Sequence, residues 1–283
     1  MSELFATSPL LSAEGVVHGF SLRGGGASIG PFASLNLSSA VGDAPEAVEE
    51  NLRRLAREAG LAGARAFAAA RQVHGDRVLL AHGAPGSAQL RELLPSSEPE
   101  AAKVSGEQGA RAAAGVDPEA DAILSRTPGL AAAVRVADCT PILLWAPGAR
   151  AACAVHSGWR GARLAVAGRG VRALEMEGAA RAEILAAIGP CIGRCCYAVS
   201  RELAASFRAA FGPEVADDPD ARAASDGPHL DLRACASIAL LRAGLAPARI
   251  DQVPGCTACS PELFFSHRRD QGRTGRHLAF IAP

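Results

Sequence analysis

Residues 121–161 read DAILSRTPGLAAAVRVADCTPILLWAPGARAACAVHSGWRG, and the fold class turns on this stretch. Four apolar runs follow one another in it: Ala122–Ser125, Leu130–Val136, Pro141–Ala146 and Ala151–Val155. Runs of that length bounded by Pro, Gly and polar residues read as strands. Working outward, a helix is predicted over Gly161–Met176, then a strand around Ile184–Ile188. Helices follow at Arg201–Phe211 and, started by Asp231, at Leu232–Ala243. Short strands near Ile250–Val253 and His277–Ile281 close the chain. On the N-terminal side a β-like run, Val16–Leu22, leads into the turn Arg23-Gly24-Gly25-Gly26. Asp43 is placed to cap a helix, with Pro45 in its first turn and Glu46 three residues on, as in a capping box. Val48, Leu52, Leu55 and Ala59 keep helical spacing as far as Gly60. Further β-like runs cover Ala66–Val73 and Arg77–Ala81. Residues 83–119 change character, with Pro, Gly and Ser interrupting any strong period and a short helix drawn only over Ser87–Leu94. This segment is expected to be a flexible surface insertion rather than a linker, since what precedes it looks incomplete alone. Mixed strands and helices on both sides of it predict a single α/β domain over 1–283.

Charge and composition narrow the function. The 283 residues carry 29 Lys+Arg against 29 Asp+Glu, a formal charge of zero. That argues against nucleic-acid or membrane-surface partners, whose capture needs a large basic excess. Hydrophobic residues make up 49% and aromatics only 4%, so the core must be aliphatic and rich in alanine. Lys103 is the only lysine, and an Arg is informative only inside a motif. Met1–Phe20 lacks the basic and apolar regions of a signal peptide, and no run approaches the ~18 apolar residues of a membrane span. A cytoplasmic location with reduced thiols is therefore expected. The 8 cysteines are then core filler, metal ligands or nucleophiles.

Four segments put ionisable groups directly after apolar runs: Arg71-Gln72-Val73-His74-Gly75, Ala137-Asp138-Cys139-Thr140-Pro141, Val155-His156-Ser157-Gly158-Trp159-Arg160-Gly161 and Phe265-Ser266-His267-Arg268-Arg269-Asp270. Chains leave sheets at such points, and sites are built there. His74, Cys139 and His156 make a possible three-ligand zinc set with an open fourth position. The same residues could equally form a Cys–His nucleophile pair, Cys139 with His156. Gly158-Trp159-Arg160-Gly161 suits either an anion held by backbone N–H groups and Arg160 or a tight turn packed by its Trp. The Arg268–Arg276 run is open in the same way, between an anion contact and a solvated loop. Cys256-Thr-Ala-Cys259 has the spacing of half a zinc ribbon, but no second C-x-x-C completes it. Cys191, Cys195 and Cys196 have no standard ligand spacing. Both groups are read as structural filler, and Cys153 and Cys235 as core.

At these segments the sequence resembles the YfiH family of laccase-domain (multicopper polyphenol oxidase) proteins, to which the human protein FAMIN is related. The motifs that carry the resemblance are Ser34-Leu35-Asn36-Leu37 with Val41-Gly42-Asp43, Gln72-Val73-His74-Gly75, Asp121-Ala122, Ala137–Pro141, His156–Gly161, Ile188-Gly189-Pro190-Cys191-Ile192 and Phe265–Asp270. It implies a four-layer α/β/β/α sandwich with mixed sheets, and zinc held by His74, Cys139 and His156. It also implies purine nucleosides and phosphate as substrates: phosphorolysis of adenosine, inosine, guanosine and methylthioadenosine, and deamination of adenosine. In deamination the zinc would activate water against C6 of adenine, with Asp138 or Asp121 as proton shuttle. Family members bind nucleoside near the Asn36 segment and near an Arg that directly follows an Asn in the first helix. Here Asn51 is followed by Leu52, so the contact passes to Arg53. For phosphorolysis Arg160, with Arg53, would hold phosphate against the ribose anomeric carbon, and Arg268 in the closing Arg run is a further candidate substrate contact.

The resemblance leaves alternatives. A copper-dependent polyphenol oxidase would need a trinuclear cluster built on some eight further histidines in His-x-His pairs. Only His18, His82, His229, His267 and His277 remain, and no His-x-His occurs. A cysteine hydrolase or amidase on peptidoglycan precursors, using Cys139, is the other enzyme reading. A metal-stabilised binding module is the non-catalytic one. Either a monomer or a homodimer is compatible with the sequence.

Overall fold

The computed structural model describes residues 3–97, 118–218 and 227–283. Its seven-stranded sheet runs in the order β11 (Ile250–Gln252), β10 (Leu185–Ile188), β8 (Thr140–Ala146), β9 (Ala151–Ser157), β6 (Ala122–Ser125), β4 (Val78–His82), β5 (Gln89–Leu94). The five-stranded sheet runs β1 (Phe5–Ala6), β2 (Val17–Ser21), β12 (His277–Ala282), β7 (Ala131–Val136), β3 (Phe67–Ala68). Both are mixed: β10 with β11, β4 with β6 and β3 with β7 pair in parallel, the other neighbours antiparallel.

Side-chain alternation sets the layers. In β8, Leu143 and Trp145 face the other sheet while Ile142, Leu144 and Ala146 face helices. In β9, Ala152 and Ala154 point inward and Ala151, Cys153 and Val155 outward. The five-stranded sheet mirrors this: Ala132, Val134, Ala279 and Ile281 meet the first sheet, and Ala131, Ala133, Leu278 and Phe280 meet a helix. Nearly every position in these strands is buried, so the central runs are continuously apolar instead of alternating; Arg135 in β7 is half-buried. The helix over the five-stranded sheet is α2 (Pro45–Glu58), after the short α1 (Pro9–Ser12). Over the seven-stranded sheet lie α3 (Trp159–Arg163), α4 (Val166–Met176), α5 (Arg201–Phe211) and α6 (Leu232–Arg242). The α/β/β/α order that the family resemblance implies is the one observed. Alanines between the sheets let the layers approach, which is how so few aromatics fill the core.

Four local expectations are corrected. Ser87–Leu94 is no helix: Gln89–Leu94 is β5, the edge strand beside β4. Residues 98–117 of the expected insertion lie outside the described residues. Asp43 does not cap α2; Ala44 stands there, with Pro45 as the first helical residue. The Asp43 carboxylate instead accepts from Ser28 Oγ (2.6 Å) and Asn36 Nδ2 (2.9 Å). The helix drawn over Gly161–Met176 is broken at Ala165, whose left-handed backbone (φ 55°) separates α3 from α4. The break turns Val166, Gly170, Val171 and Leu174 onto the sheet, where a Cβ on Gly170 would meet Val155 at 2.8 Å. Of Ala66–Val73 only Phe67–Ala68 pairs as a strand; Arg71 makes an isolated parallel bridge with Glu119, and Val73 N turns to the Asp121 carboxylate. Asp231 does cap α6, accepting from Ala234 N at 2.9 Å. Among the described residues no helix is long and apolar enough to cross a membrane.

His277, at the start of β12, is buried against Phe264 and Phe265, and its Nε2 accepts from Phe265 N at 2.8 Å. Burial, reinforced by the charges of Arg23 and Arg276, pushes its pKa down to about 3. An unfolded histidine takes up a proton near pH 6.5, roughly the model-peptide value, while this one stays neutral. Stability should therefore fall as pH falls between those two values, at about 1.4 kcal/mol per pH unit from this residue. Denaturant titrations from pH 7 to pH 4 should show a shallower loss for His277→Gln, which keeps an acceptor but no titration. An unchanged slope would assign the acid sensitivity elsewhere.

Candidate metal centre

Strand register builds the site. Thr140 pairs with Ser157 across β8 and β9, which brings Cys139, just before β8, beside Gly158, just after β9. Ala122 pairs with Val155, which brings Asp121 beside His156. His74 arrives on the loop between β3 and β4. The ligand atoms of His74, Cys139 and His156 all lie within 4.8 Å of one another, and the two imidazoles meet edge to face at 4.9 Å.

Asp121 holds this arrangement. Its side chain is fully buried. One oxygen accepts from His156 Nδ1 (2.7 Å) and His74 N (3.0 Å), the other from Gly75 N (2.6 Å) and Val73 N (3.2 Å). Three successive N–H groups converge on one carboxylate, and His74 adopts φ 59° to let them. That conformation is costly for a non-glycine residue and needs such bracing. Burial alone would raise the Asp121 pKa, but the hydrogen bond and charge of His156 and the N–H groups outweigh it and hold the carboxyl below its ordinary range. With Nδ1 committed to Asp121, Nε2 is the His156 nitrogen left to face Cys139.

Cys139 is half-buried. Burial opposes its ionisation, yet the charge and hydrogen bond of His156, followed by those of His74, bring the thiol down to about 6. His156 moves the opposite way: burial would lower it, but Cys139 and Asp121 raise it to about 10. The cluster thus favours a thiolate, the form a metal ligand must take. Two imidazoles and a thiolate suit a borderline-soft divalent cation, and a carboxylate behind a histidine ligand is the usual brace for one. His74, Cys139 and His156 therefore fit the group implied for them.

The remaining expected residues divide. Asp138 (φ 91°) is buried, and its carboxylate is taken by Thr257 Oγ1 and Arg268 N, both at 2.6 Å. Arg268 sends its guanidinium to Ala198 O (2.8 Å) and over the Tyr197 ring (5.0 Å). Arg160 is exposed on the five-residue α3, its guanidinium over Trp159 at 5.1 Å. Asn36 is buried and saturated: it donates to Ser38 O and Asp43 and accepts from Ser38 N and Arg276 N. Arg53 lies along α2 against Glu49 and Glu50.

Two features escaped the sequence. Tyr197, the only tyrosine, sits close enough to Cys139 that burial and then the thiolate charge push its pKa up to about 12. Its uniqueness in the composition was the available signal. The second is the cysteine pairing. Cys195, Cys196, Cys256 and Cys259 are not scattered filler; their sulfurs gather within 4.8 Å of one another. Cys153 and Cys235 are buried core residues as expected.

Gly158 has a packing requirement: an added Cβ would lie 2.9 Å from His74 Cδ2 and 3.1 Å from Cys139 Sγ. Gly158→Ala should therefore weaken metal binding while leaving the thermal melt of the metal-free protein nearly unchanged. Asp121→Asn should cost about 10–100-fold in metal affinity, the usual penalty for losing such a brace. Competition against a chelator of known affinity measures both.

The sequence pattern of the family described as multi-copper polyphenol oxidoreductase laccase matches residues 17–283. The purine nucleoside phosphorylase YlmD of Geobacillus stearothermophilus is 37% identical over 269 residues, covering 94% of this chain and 90% of that protein. The purine nucleoside phosphorylase LACC1 of Mus musculus is 33% identical over 98% of this chain, which spans only 57% of LACC1. The crystal structure of Geobacillus YlmD superposes with a TM-score of 0.78 at 34% identity over 99% of both chains. That of the Bacillus licheniformis protein YfiH does so with 0.76 at 29% identity, over 95% of this chain and 93% of that one.

Proposed function

Because the chain belongs to the multi-copper polyphenol oxidoreductase laccase family, we propose that it is a purine nucleoside phosphorylase in which His74, Cys139 and His156 hold zinc. The observation that carries the reading is the two-imidazole, one-thiol cluster braced by Asp121, in a chain so similar to proteins bearing that phosphorylase name. When bound there, a divalent cation supplies Lewis acidity at an open coordination position. The chain's own groups do the rest. Asp121 fixes the His156 tautomer, and the histidines keep Cys139 deprotonated. Arg160 is the phosphate contact we favour, since it is exposed and, among the described residues, its guanidinium rests over the Trp159 ring. Asn36 and Arg53 would have to release their present partners to reach a nucleoside. Deamination of adenosine is the second activity of this reading. Asp121 and Asp138 then act as positioning residues, because the hydrogen bonds they accept commit both carboxylates. Eight free cysteines accord with a thiol-reducing, cytoplasmic setting.

The multicopper label fits the residues less well. Among the described residues, no histidine beyond His74 and His156 joins a metal-ligating group. A thiol hydrolase keeps one specific observation in its favour: Cys139, His156 and Asp121 form a hydrogen-bonded line resembling a nucleophile, base and orienting acid.

Metal analysis of purified protein, with adenosine turnover followed with and without phosphate, separates these readings. Phosphorolysis requires phosphate and yields adenine with ribose 1-phosphate; deamination yields inosine. Chelation and His74→Ala should each reduce turnover by at least about 100-fold. Full turnover in metal-free protein would overturn the zinc reading and favour the thiol one.

A further inference from the structure

The four cysteines that the sequence left unpaired converge for a topological reason. Strands β10 and β11 run parallel at one edge of the seven-stranded sheet, so the chain leaves both at the same end. The two exits stay in register beyond the strands: Val253 N donates to Ile188 O at 2.9 Å, Cys191 bridges Cys256, and Thr257 N donates to Cys191 O at 3.1 Å. Each exit then turns tightly. Cys196 N and Tyr197 N both donate to Gly193 O, and Ser260 N donates to Cys256 O. One turn delivers Cys195 and Cys196; the other delivers Cys256 and Cys259.

The sulfurs stand 3.6 Å (Cys195 to Cys256), 3.5 Å (Cys195 to Cys259) and 3.3 Å (Cys196 to Cys259) apart, and all four lie within 4.8 Å. Four thiolates around a tetrahedral cation at about 2.3 Å stand roughly 3.8 Å from one another. The observed spacing is close to that shell. All four are free thiols. Cys256 Sγ also accepts from the backbone N–H of Gly193 (3.2 Å) and of Cys259, the outer-shell support that thiolate ligands receive. We propose that Cys195, Cys196, Cys256 and Cys259 form a second metal site, a closed tetrathiolate centre for a thiophilic divalent cation, zinc in the first instance. Four protein ligands leave no open position, so the centre is structural. Its two turns grip the loop of the first site: Ile192 N donates to Asp138 O at 2.9 Å, and Thr257 Oγ1 to the Asp138 carboxylate at 2.6 Å. Pinning the turns together holds Asp138, and through it the neighbouring Cys139.

The site does not depend on the reading of the first one, and the test keeps them apart. Full-length protein is stripped with a chelator, returned to zinc or left without it, and alkylated under native conditions with peptide mapping by mass spectrometry. Zinc should slow modification of Cys195, Cys196, Cys256 and Cys259 together, by at least about tenfold. In His74→Ala the protection of these four should persist while that of Cys139 is lost. A Cys256→Ser/Cys259→Ser variant should bind one zinc fewer per chain. If that variant fails to fold, the protection experiment on the unmutated chain decides. Equal alkylation of the four thiols with and without zinc would overturn the proposal, as would their recovery as disulfides that zinc does not displace.

Discussion

The Asp121 carboxylate is buried with four hydrogen-bond donors converging on it, and the first site depends on that contact. An ionised carboxylate away from water is tolerable only when its lone pairs are taken by strong donors. Those donors come from the loop that carries His74 and from the ring of His156. Satisfying one buried charge therefore fixes a loop conformation, a strained backbone at His74 and the tautomer of His156 at once. Cys139 responds to that arrangement, since the two imidazoles favour its thiolate. A single electrostatic constraint thus sets both the geometry and the ionisation state of the His74, Cys139 and His156 cluster.

The sandwich supplies what Asp121 cannot. β8, β9 and β6 are hydrogen-bonded neighbours in the middle of the seven-stranded sheet, covered on one face by helices and on the other by the second sheet. Their ends cannot shift without disturbing several layers of close-packed aliphatic side chains. His156 near the end of β9, and Asp121 and Cys139 just before β6 and β8, inherit the rigidity of the sheet. The same logic operates at the sheet edge, where the parallel pair β10 and β11 carries two pairs of thiols to one place. Asp138 lies between the two clusters and is bonded to the turns of the second, so the two are mechanically connected.

Much of this was legible in the residues. The strands β8, β9, β10 and β12 and the helices α5 and α6 lie within a residue or two of their expected bounds, because uninterrupted apolar runs and a capping Asp231 are strong local signals. Local signals failed where long-range partners competed. Asp43 has the sequence of a cap but spends its carboxylate on Ser28 and Asn36. Gln89–Leu94 becomes a strand because β4 offers an edge. Nothing in Leu164-Ala165-Val166 marks the break between α3 and α4, which is decided by the sheet surface beneath.

For this protein the sequence alone determined the α/β class and the aliphatic core, and through its ordered motifs a family resemblance that implied the layer order and singled out His74, Cys139 and His156 as candidate ligands. The class and the core follow from composition and from the length of apolar runs; the layer order and the candidate ligands follow from the resemblance that the short contiguous motifs carry. Only the tertiary structure decided which partners those groups meet. Asp121 became the brace and Asp138 a clasp, and Asn36 became a saturated buried amide. Cys195 and Cys196 joined Cys256 and Cys259 across about sixty residues of chain. The physical reason is common to all of these: ligand spacing rules read neighbours along the chain, while strand register and parallel pairing bring together residues that no local pattern connects.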